Sequence, residues 1–406
     1  MRICKLLLSF LTVVLLTVSP CVTAFAKTVS SECDISDVAV PMSSENVEEP
    51  FGTVLDIKAR SVVLLEPDTL TVLYENNADE QLPPASITKI MALVLVMEAI
   101  DRGNIGLDDV ISASEHASGM GGSQIWLKPG ERMSVDDLLK AAVIASANDA
   151  TVALAEAVAG SEEGFVSLMN QKAEKLGMTG TVFKNATGLD AEGHLSTARD
   201  VALMSAELLR HPLIKNYSTV WMDTLRGGES ELVNTNKLVR FYEGTTGLKT
   251  GTTADAGYCL AASAKRGEME LVAVVMSAET SSDRFEGAKK LLDYGFANYS
   301  VVKIEPDFKN GTEIKVDAGE KSSVPISAKD GFSILLKKSE SADITRETEL
   351  PESVAAPVKK GQTIGKINVF SGGDIIGTID ITADKEVRKM SFASAFRWIL
   401  KGLFKS

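Results

Sequence analysis

Three short runs bring together the residue types that an acyl-transfer centre needs: Ser86-Ile87-Thr88-Lys89, Ser146-Ala147-Asn148 and Lys249-Thr250-Gly251. On a helix, positions i and i+3 share a face, so Lys89 projects beside the Ser86 hydroxyl. A serine alkoxide is out of reach at neutral pH without an adjacent base. Lysine is that base only as a neutral amine, which requires burial or a neighbouring cation. Lys249 is the candidate neighbour, and Ile90, Met91 and Leu93 supply apolar surface for desolvation. The Ser86 N–H, at a helix N-terminus, is suited to bind a developing oxyanion. Lys249 on a strand edge attracts the carboxylate of a peptide C-terminus, and the strand offers main-chain pairing to an extended substrate. Thr250-Gly251 permits close approach of a ligand. Ser146 can relay the proton to the departing amine, and Asn148 can position Lys89 or the substrate amide.

Each run alone is a cheap pattern. A second S-x-x-K spans Ser300 to Lys303, and a second S-x-N spans Ser44 to Asn46. Ser86 with Lys89 is also what an ordinary N-cap and a solvated lysine look like, and Ser146 and Asn148 are common capping residues. Order, wide spacing and structural setting raise the three runs above that background.

The elements that must carry them follow from the hydrophobic pattern. VLDIKARSVVLLE and LTVLYE read as two strands joined near Pro67-Asp68. Pro83-Pro84 breaks the chain before a long apolar helix from about Ser86 to Ile100. The segment Asp136 to Ala159 reads as one Ala-rich helix, followed by helices near Glu162–Leu176 and Ala198–Leu209. GLKTGTT, GYCLAASA and MELVAVVMSA read as late strands, the last two turning at Lys265-Arg266-Gly267, and a helix from about Asp283 to Gly295 follows. Strands at both ends with helices between imply an α/β domain whose first and last strands share a sheet. Past about Val301, short alternating segments punctuated by Gly and Pro read as a small all-β domain.

The termini differ from the body. Arg2 and Lys5 precede an apolar run from Leu6 to Val18, and small residues frame Ala24-Phe25-Ala26. This is the pattern of a signal peptide over residues 1–26, cleaved after Ala26. Residues 27–50 read as a flexible acidic tail. At the other end, in residues 389–406, Phe392, Phe396, Ile399, Leu400 and Leu403 recur at helical spacing. Arg397, Lys401 and Lys405 stack on another face, and Trp398 adds an interfacial ring. A cationic amphipathic end to an acidic chain suggests a helix lying on an anionic membrane, against the alternative of docking onto its own domain.

PPASITKIMAL, SANDA, VNTNKLVRFYEGTTGLKTGTT and AGYCLAASA resemble the low-molecular-mass penicillin-binding proteins, the serine-type D-Ala-D-Ala carboxypeptidases. MGGSQIWLKPGE and HLSTARDVALM resemble further stretches of that family. The resemblance runs from about Val54 to the C-terminus. It implies a β-lactamase/transpeptidase-like catalytic domain over 51–299, with an antiparallel sheet flanked by helices and a helical insertion. An all-β domain over 300–388 and an amphipathic anchor over 389–406 follow. It implies Ser86 as acyl-enzyme nucleophile, Lys89 as proton acceptor and Ser146 as a third active residue. Lys249 and Thr250 would bind the substrate, and the Thr252 N–H would be the second oxyanion donor. The implied partners are peptidoglycan stem peptides ending in D-Ala-D-Ala, β-lactams as covalent inhibitors, and the membrane surface. The implied place of action is the extracytoplasmic face of a bacterial cytoplasmic membrane. Two positions depart from the family: Ala147 stands where relatives often carry Gly or Asp, and Thr252 where several carry a bulkier residue.

Composition narrows the alternatives. A net charge of −13 over 406 residues argues against a nucleic-acid partner. Of four cysteines only Cys33 and Cys259 remain after the leader, which is no disulfide framework. His116, His194 and His211 lack ligand spacing, so neither a metal nor another cofactor is expected, and His194 reads as a structural or loop residue. A class A β-lactamase would need an E-x-x-L-N loop, and Glu229 to Leu232 is followed by Val233. A transpeptidase, an endopeptidase and an acylating scaffold share the same three runs and differ only in the fate of the acyl-enzyme.

Overall fold

The run Ser61 to Leu65 is β-branched and aliphatic without a polar break, which suits a strand covered on both faces. The structure is a computed structural model and describes residues 55–339 and 343–396. The run lies in β1 (Ala59–Glu66), which starts later than the sequence pattern suggests; β2 (Thr71–Asn76) returns beside it. Next come a 3-10 turn, Ala85–Thr88, and α1 (Lys89–Asp101). Residues from Lys89 to Met97 are all buried, as expected of a helix that is apolar all round.

α2 (Val135–Ile144) and α3 (Asn148–Ala159) replace the single helix expected over Asp136–Ala159. Ser146 takes φ 63° and Ala147 an extended conformation, so the helix stops and restarts there. Ser146 and Asn148 are residues that suit helix ends, but the Ala-rich sequence on either side favours continuation and hides the break. α4 (Glu162–Lys175) and α5 (Ala198–Leu209) complete the helical insertion. Lys172 of α4 bonds Glu98 of α1 at 2.7 Å and Glu207 of α5 at 2.6 Å, tying three helices at one mostly buried point.

β3 (Thr245–Thr253), β4 (Gly257–Arg266) and β5 (Met269–Ala278) form a meander, and α6 (Ser281–Asn298) packs behind it. The antiparallel sheet has the order β2-β1-β5-β4-β3, so the first and last strands are neighbours, with Val62 opposite Val275. One face of the sheet packs on α1 and the helical insertion through Val63, Leu65, Val272 and Val274. The other packs on α6 through Leu64, Leu271, Leu291 and Leu292. β3 is the sheet edge, and it faces the start of α1.

The C-terminal part is all β. β6 (Tyr299–Ile304), β7 (Thr312–Asp317), β8 (Ser323–Ala328), β9 (Phe332–Lys337), β10 (Ile344–Glu349), β11 (Ser353–Ala355), β12 (Thr363–Ser371) and β13 (Asp374–Ala383) follow in sequence. Six of them form a sheet of order β10-β12-β13-β8-β7-β11, while β6 pairs with β9. A separate core of Ile314, Val324, Ile326, Val369 and Ile381 holds this part together. The leader, the acidic tail and the last ten residues lie outside the described residues. Among the described residues no helix is long and apolar enough to cross a membrane.

Candidate active site

Ser86 is half-buried in the 3-10 turn, and Lys89 opens α1 directly after it. Side chains at i and i+3 eclipse in a 3-10 turn. Lys89 Nζ accordingly lies 2.9 Å from Ser86 Oγ. The amine also donates to the Thr187 carbonyl at 2.8 Å. Lys89 is completely enclosed, and burial holds its pKa well below the ordinary lysine value; the charge of Lys249 lowers it further, against an opposing pull from Asp149. The neutral amine that the chemistry requires is therefore the form this environment favours.

The turn is held from two sides. Gly188 sits at φ 84°, and a Cβ there would stand 1.8 Å from the Ala85 carbonyl oxygen, so only glycine lets the 185–189 loop lie against the turn. At Gly251 of β3 a Cβ would come within 3.1 Å of the Ser86 nitrogen, and glycine again allows the contact. Below the turn, His194 is buried. It accepts from the Lys184 N–H at Nδ1, 3.2 Å, so Nε2 carries the proton and donates to Thr88 Oγ1 at 2.8 Å. Burial drops its pKa from 6.5 to about 4. Between those values the unfolded chain binds a proton that the fold does not, so stability is present above pH 6.5 and is lost as pH falls toward 4. The full loss is roughly 3 kcal/mol, since one pKa unit is worth about 1.4 kcal/mol. Urea unfolding at a series of pH values is expected to show this slope, and His194→Gln should flatten it.

Ser146, at the left-handed break between α2 and α3, is buried, and its hydroxyl makes no hydrogen bond among the described residues. Asn148 does not bond Lys89, contrary to one of its two expected roles. Its Nδ2 donates to the Gly121 carbonyl at 2.7 Å and its main-chain N–H to Ser123 at 2.7 Å, while Oδ1 is buried without a partner. On β3, Lys249 is fully buried, and its Nζ donates to the Thr250 carbonyl at 3.1 Å. Burial, then the charge of Arg284, lowers its pKa to about 7. Thr250 Oγ1 donates to Thr235 Oγ1 at 2.7 Å, and Thr252 lies exposed at the end of the strand. The turn at Ser86, Lys89 and the Lys249-Thr250-Gly251 strand thus meet at one place. A buried neutral amine beside a hydroxyl, flanked by a cationic strand, suits serine acylation by a substrate with a terminal carboxylate.

The D-alanyl-D-alanine carboxypeptidase family profile matches residues 44–280, and the profile of the penicillin-binding protein 5 C-terminal domain matches residues 302–389. A D-alanyl-D-alanine carboxypeptidase of Bacillus subtilis, DacF, is 43% identical over 82% of this chain and 87% of its own. Among solved structures, penicillin-binding protein 5 of Haemophilus influenzae superposes with TM-score 0.71 at 32% identity, over 83% of this chain and 99% of its own. Penicillin-binding protein D2 of Listeria monocytogenes, solved with ampicillin bound, superposes with TM-score 0.55 at 33% identity, over 60% of this chain and 99% of its own. The chain belongs to the D-alanyl-D-alanine carboxypeptidase family. It is a low-molecular-mass penicillin-binding protein and a serine-type carboxypeptidase acting in cell-wall metabolism.

The carboxypeptidase site also uses residues that its motifs do not announce. Asp149, fully buried, accepts the Ile125 and Leu127 N–H groups at 3.1 and 3.0 Å and so fastens the 121–127 loop to the Ser146 break. Its place directly after Ser-Ala-Asn is the one available signal. Arg284 of α6 is buried behind β3 and donates to the Gly251 carbonyl and Thr252 Oγ1, each at 3.0 Å, and to the Cys259 carbonyl at 3.3 Å. Its guanidinium lies over the Tyr258 and Phe285 rings. It fixes the end of β3 and keeps positive charge near Lys249. The Thr187 carbonyl that holds Lys89 is a backbone group, for which no side-chain pattern exists.

Proposed function

We propose that this carboxypeptidase removes the terminal D-alanine from peptidoglycan stem peptides with Ser86 as nucleophile and Lys89 as base. Lys89 Nζ takes the Ser86 Oγ proton as Oγ attacks the carbonyl carbon of the penultimate D-alanine. The N–H groups of Ser86 and Thr252 hold the oxyanion. Ser146 passes a proton to the departing D-alanine amine and takes up the one held by Lys89, the C–N bond breaks, and an ester to Ser86 remains with the Lys89 amine neutral again. Water, deprotonated by Lys89, then releases the shortened peptide. Lys249 and Thr250 hold the terminal carboxylate, and the unpartnered Asn148 Oδ1 accepts from a substrate amide. The supporting observation is the enclosed Lys89 amine 2.9 Å from Ser86 Oγ. β-Lactams, which carry a carboxylate beside a strained amide, acylate the same serine; the ampicillin complex of the Listeria relative supports this reading. D-Alanine release from a pentapeptide ending in D-Ala-D-Ala is the test. Steady turnover is expected, whereas a single equivalent per enzyme would make the protein an acylating scaffold.

Lys249 sets a pH signature. Its pKa of about 7 in the free enzyme rises when a carboxylate binds beside it, because an opposite charge favours the protonated form. Binding above pH 7 therefore takes up a proton. KM is expected to climb with pH above about 7, and titration calorimetry in buffers of different ionisation enthalpy should read the uptake. Equal heats in all buffers would remove Lys249 from the carboxylate site.

The cellular setting we propose is export by the leader over residues 1–26, cleaved after Ala26, through which the catalytic domain (51–299) and the all-β domain (300–388) reach the extracytoplasmic side. The C-terminal segment then lies on the membrane. Phe392 is 89% exposed and Phe396 is 55% exposed at the start of that segment, which supports an outward apolar face.

A further inference from the structure

The Thr187 carbonyl orients the Lys89 amine, so whatever holds Thr187 holds the base. Within the loop, Asn185 Oδ1 accepts from the Thr187 N–H at 3.2 Å and the Gly188 N–H at 2.7 Å. The intervening Ala186 N–H is held from elsewhere: it donates to Glu162 Oε1 of α4 at 2.9 Å, and the residue pair is buried. The other Glu162 oxygen, Oε2, lies 2.6 Å from His116 Nε2 on the short helix Glu115–Ser118. Glu162 is not needed to cap its own helix, because Ser161 Oγ already accepts from Gly164 N–H at 3.1 Å. A carboxylate is costly to bury, and at the first turn of α4 solvent exposure is the cheaper choice. Here it is spent on one loop N–H and one imidazole.

We propose that Glu162 is a positioning residue for acylation: by anchoring the Ala186 N–H it fixes the Thr187 carbonyl, which takes one Lys89 N–H and turns the amine lone pair toward Ser86. The proposal rests on Lys89 being the base. Loss of the anchor lets the loop rise, misaligns the amine and admits water to it. An ångström of misplacement costs on the order of a hundredfold in rate. Hydration also returns the Lys89 pKa toward its ordinary value, which moves the acid limb of the rate profile to higher pH. The charged groups facing Lys89 are Lys249 and Asp149, and those facing His116 are Glu162, Glu156 and Glu163. The hydrogen bond to Glu162 raises the His116 pKa above the ordinary 6.5, so His116→Gln is included to separate the imidazole's own contribution to the profile.

The experiment measures the second-order rate of acylation by a fluorescent penicillin against pH, with melting temperatures, for the full chain and five variants. Glu162→Ala is expected to lower the rate about ten- to hundredfold and to shift the acid limb upward. Glu162→Asp, which withdraws the carboxylate from Ala186 by one methylene, is expected to do the same in milder form and serves if the alanine variant does not fold. Glu162→Gln keeps an oxygen for the Ala186 N–H, and His116→Gln leaves Glu162 in place; both should stay within about threefold of the parent. Unchanged rates and acid limbs in the alanine and aspartate variants would overturn the proposal. So would a glutamine variant at position 162 as slow as the alanine one. Lys89→Gln, run alongside, distinguishes the two levels: if it acylates normally the base assignment fails, and if it alone is slow only the role of Glu162 fails.

Discussion

Ser86→Ala is expected to abolish covalent labelling by penicillin and to lower D-alanine release by about ten-thousand-fold or more, in the range seen when a catalytic nucleophile is removed. The loss should fall on the chemical step. Lys249, Thr250 and Asn148 remain, so substrate still binds, and KM is expected to change little. The fold should persist as well, because Ser86 is half-buried and its hydroxyl has one partner, Lys89. A neutral hydrogen bond is worth about 1 kcal/mol. Intact-mass measurement after incubation with a β-lactam reads the outcome directly. An adduct of full mass on the alanine variant would move the nucleophile elsewhere in the chain.

Lys89→Met is expected to lower acylation by about a thousandfold or more, since general-base catalysis contributes up to about ten-thousand-fold. It should do so without loss of stability. The Lys89 side chain is completely enclosed, and burial already makes its charged form unfavourable. Methionine fills a similar volume with no amine to desolvate, and replacing a buried ionisable group by an apolar one is often neutral or stabilising. Against that stand two groups that lose their partner, the Thr187 carbonyl and the half-buried Ser86 hydroxyl, at a cost of about 1 kcal/mol each. The melting temperature is therefore expected to hold or rise while activity collapses. A variant that keeps activity within tenfold of the parent would remove lysine from the proton-transfer step; one that is merely unfolded would contradict the packing argument.

The parts of this site that were legible in the sequence are those where a side chain does the work at fixed local spacing. Ser86 and Lys89 lie three positions apart, and the turn between them follows from Pro83-Pro84 and the apolar run behind. The late strands announce themselves by β-branched content, and their return to the first strand follows from strands flanking helices. Three features were hidden. The break at Ser146 lies inside Ala-rich sequence that favours an unbroken helix, and the grip of Asp149 and Asn148 on the 121–127 loop accompanies the restart. The Lys89 acceptor is a main-chain carbonyl brought in from residue 187. Arg284 acts from α6 upon carbonyls of β3 and β4, a contact between elements that no spacing rule relates. In the last two cases a tertiary contact decided the geometry and local propensity was silent.

The pairing of Val62 with Val275 also governs when the enzyme comes into being. During synthesis, β1, β2 and the serine turn emerge early, but β5, the other neighbour of β1, and the strand bearing Lys249 arrive only near the end of the catalytic region. Until then the Ser61–Leu65 run has one edge unpaired and open to aggregation, and Ser86 lacks the strand that carries Lys249. A nascent chain halted before Met269 is therefore expected to be inert toward penicillin. Covalent labelling by the antibiotic consequently doubles as a report of completed folding, and ribosome-arrested chains of increasing length should become labelled only once β5 is free to insert.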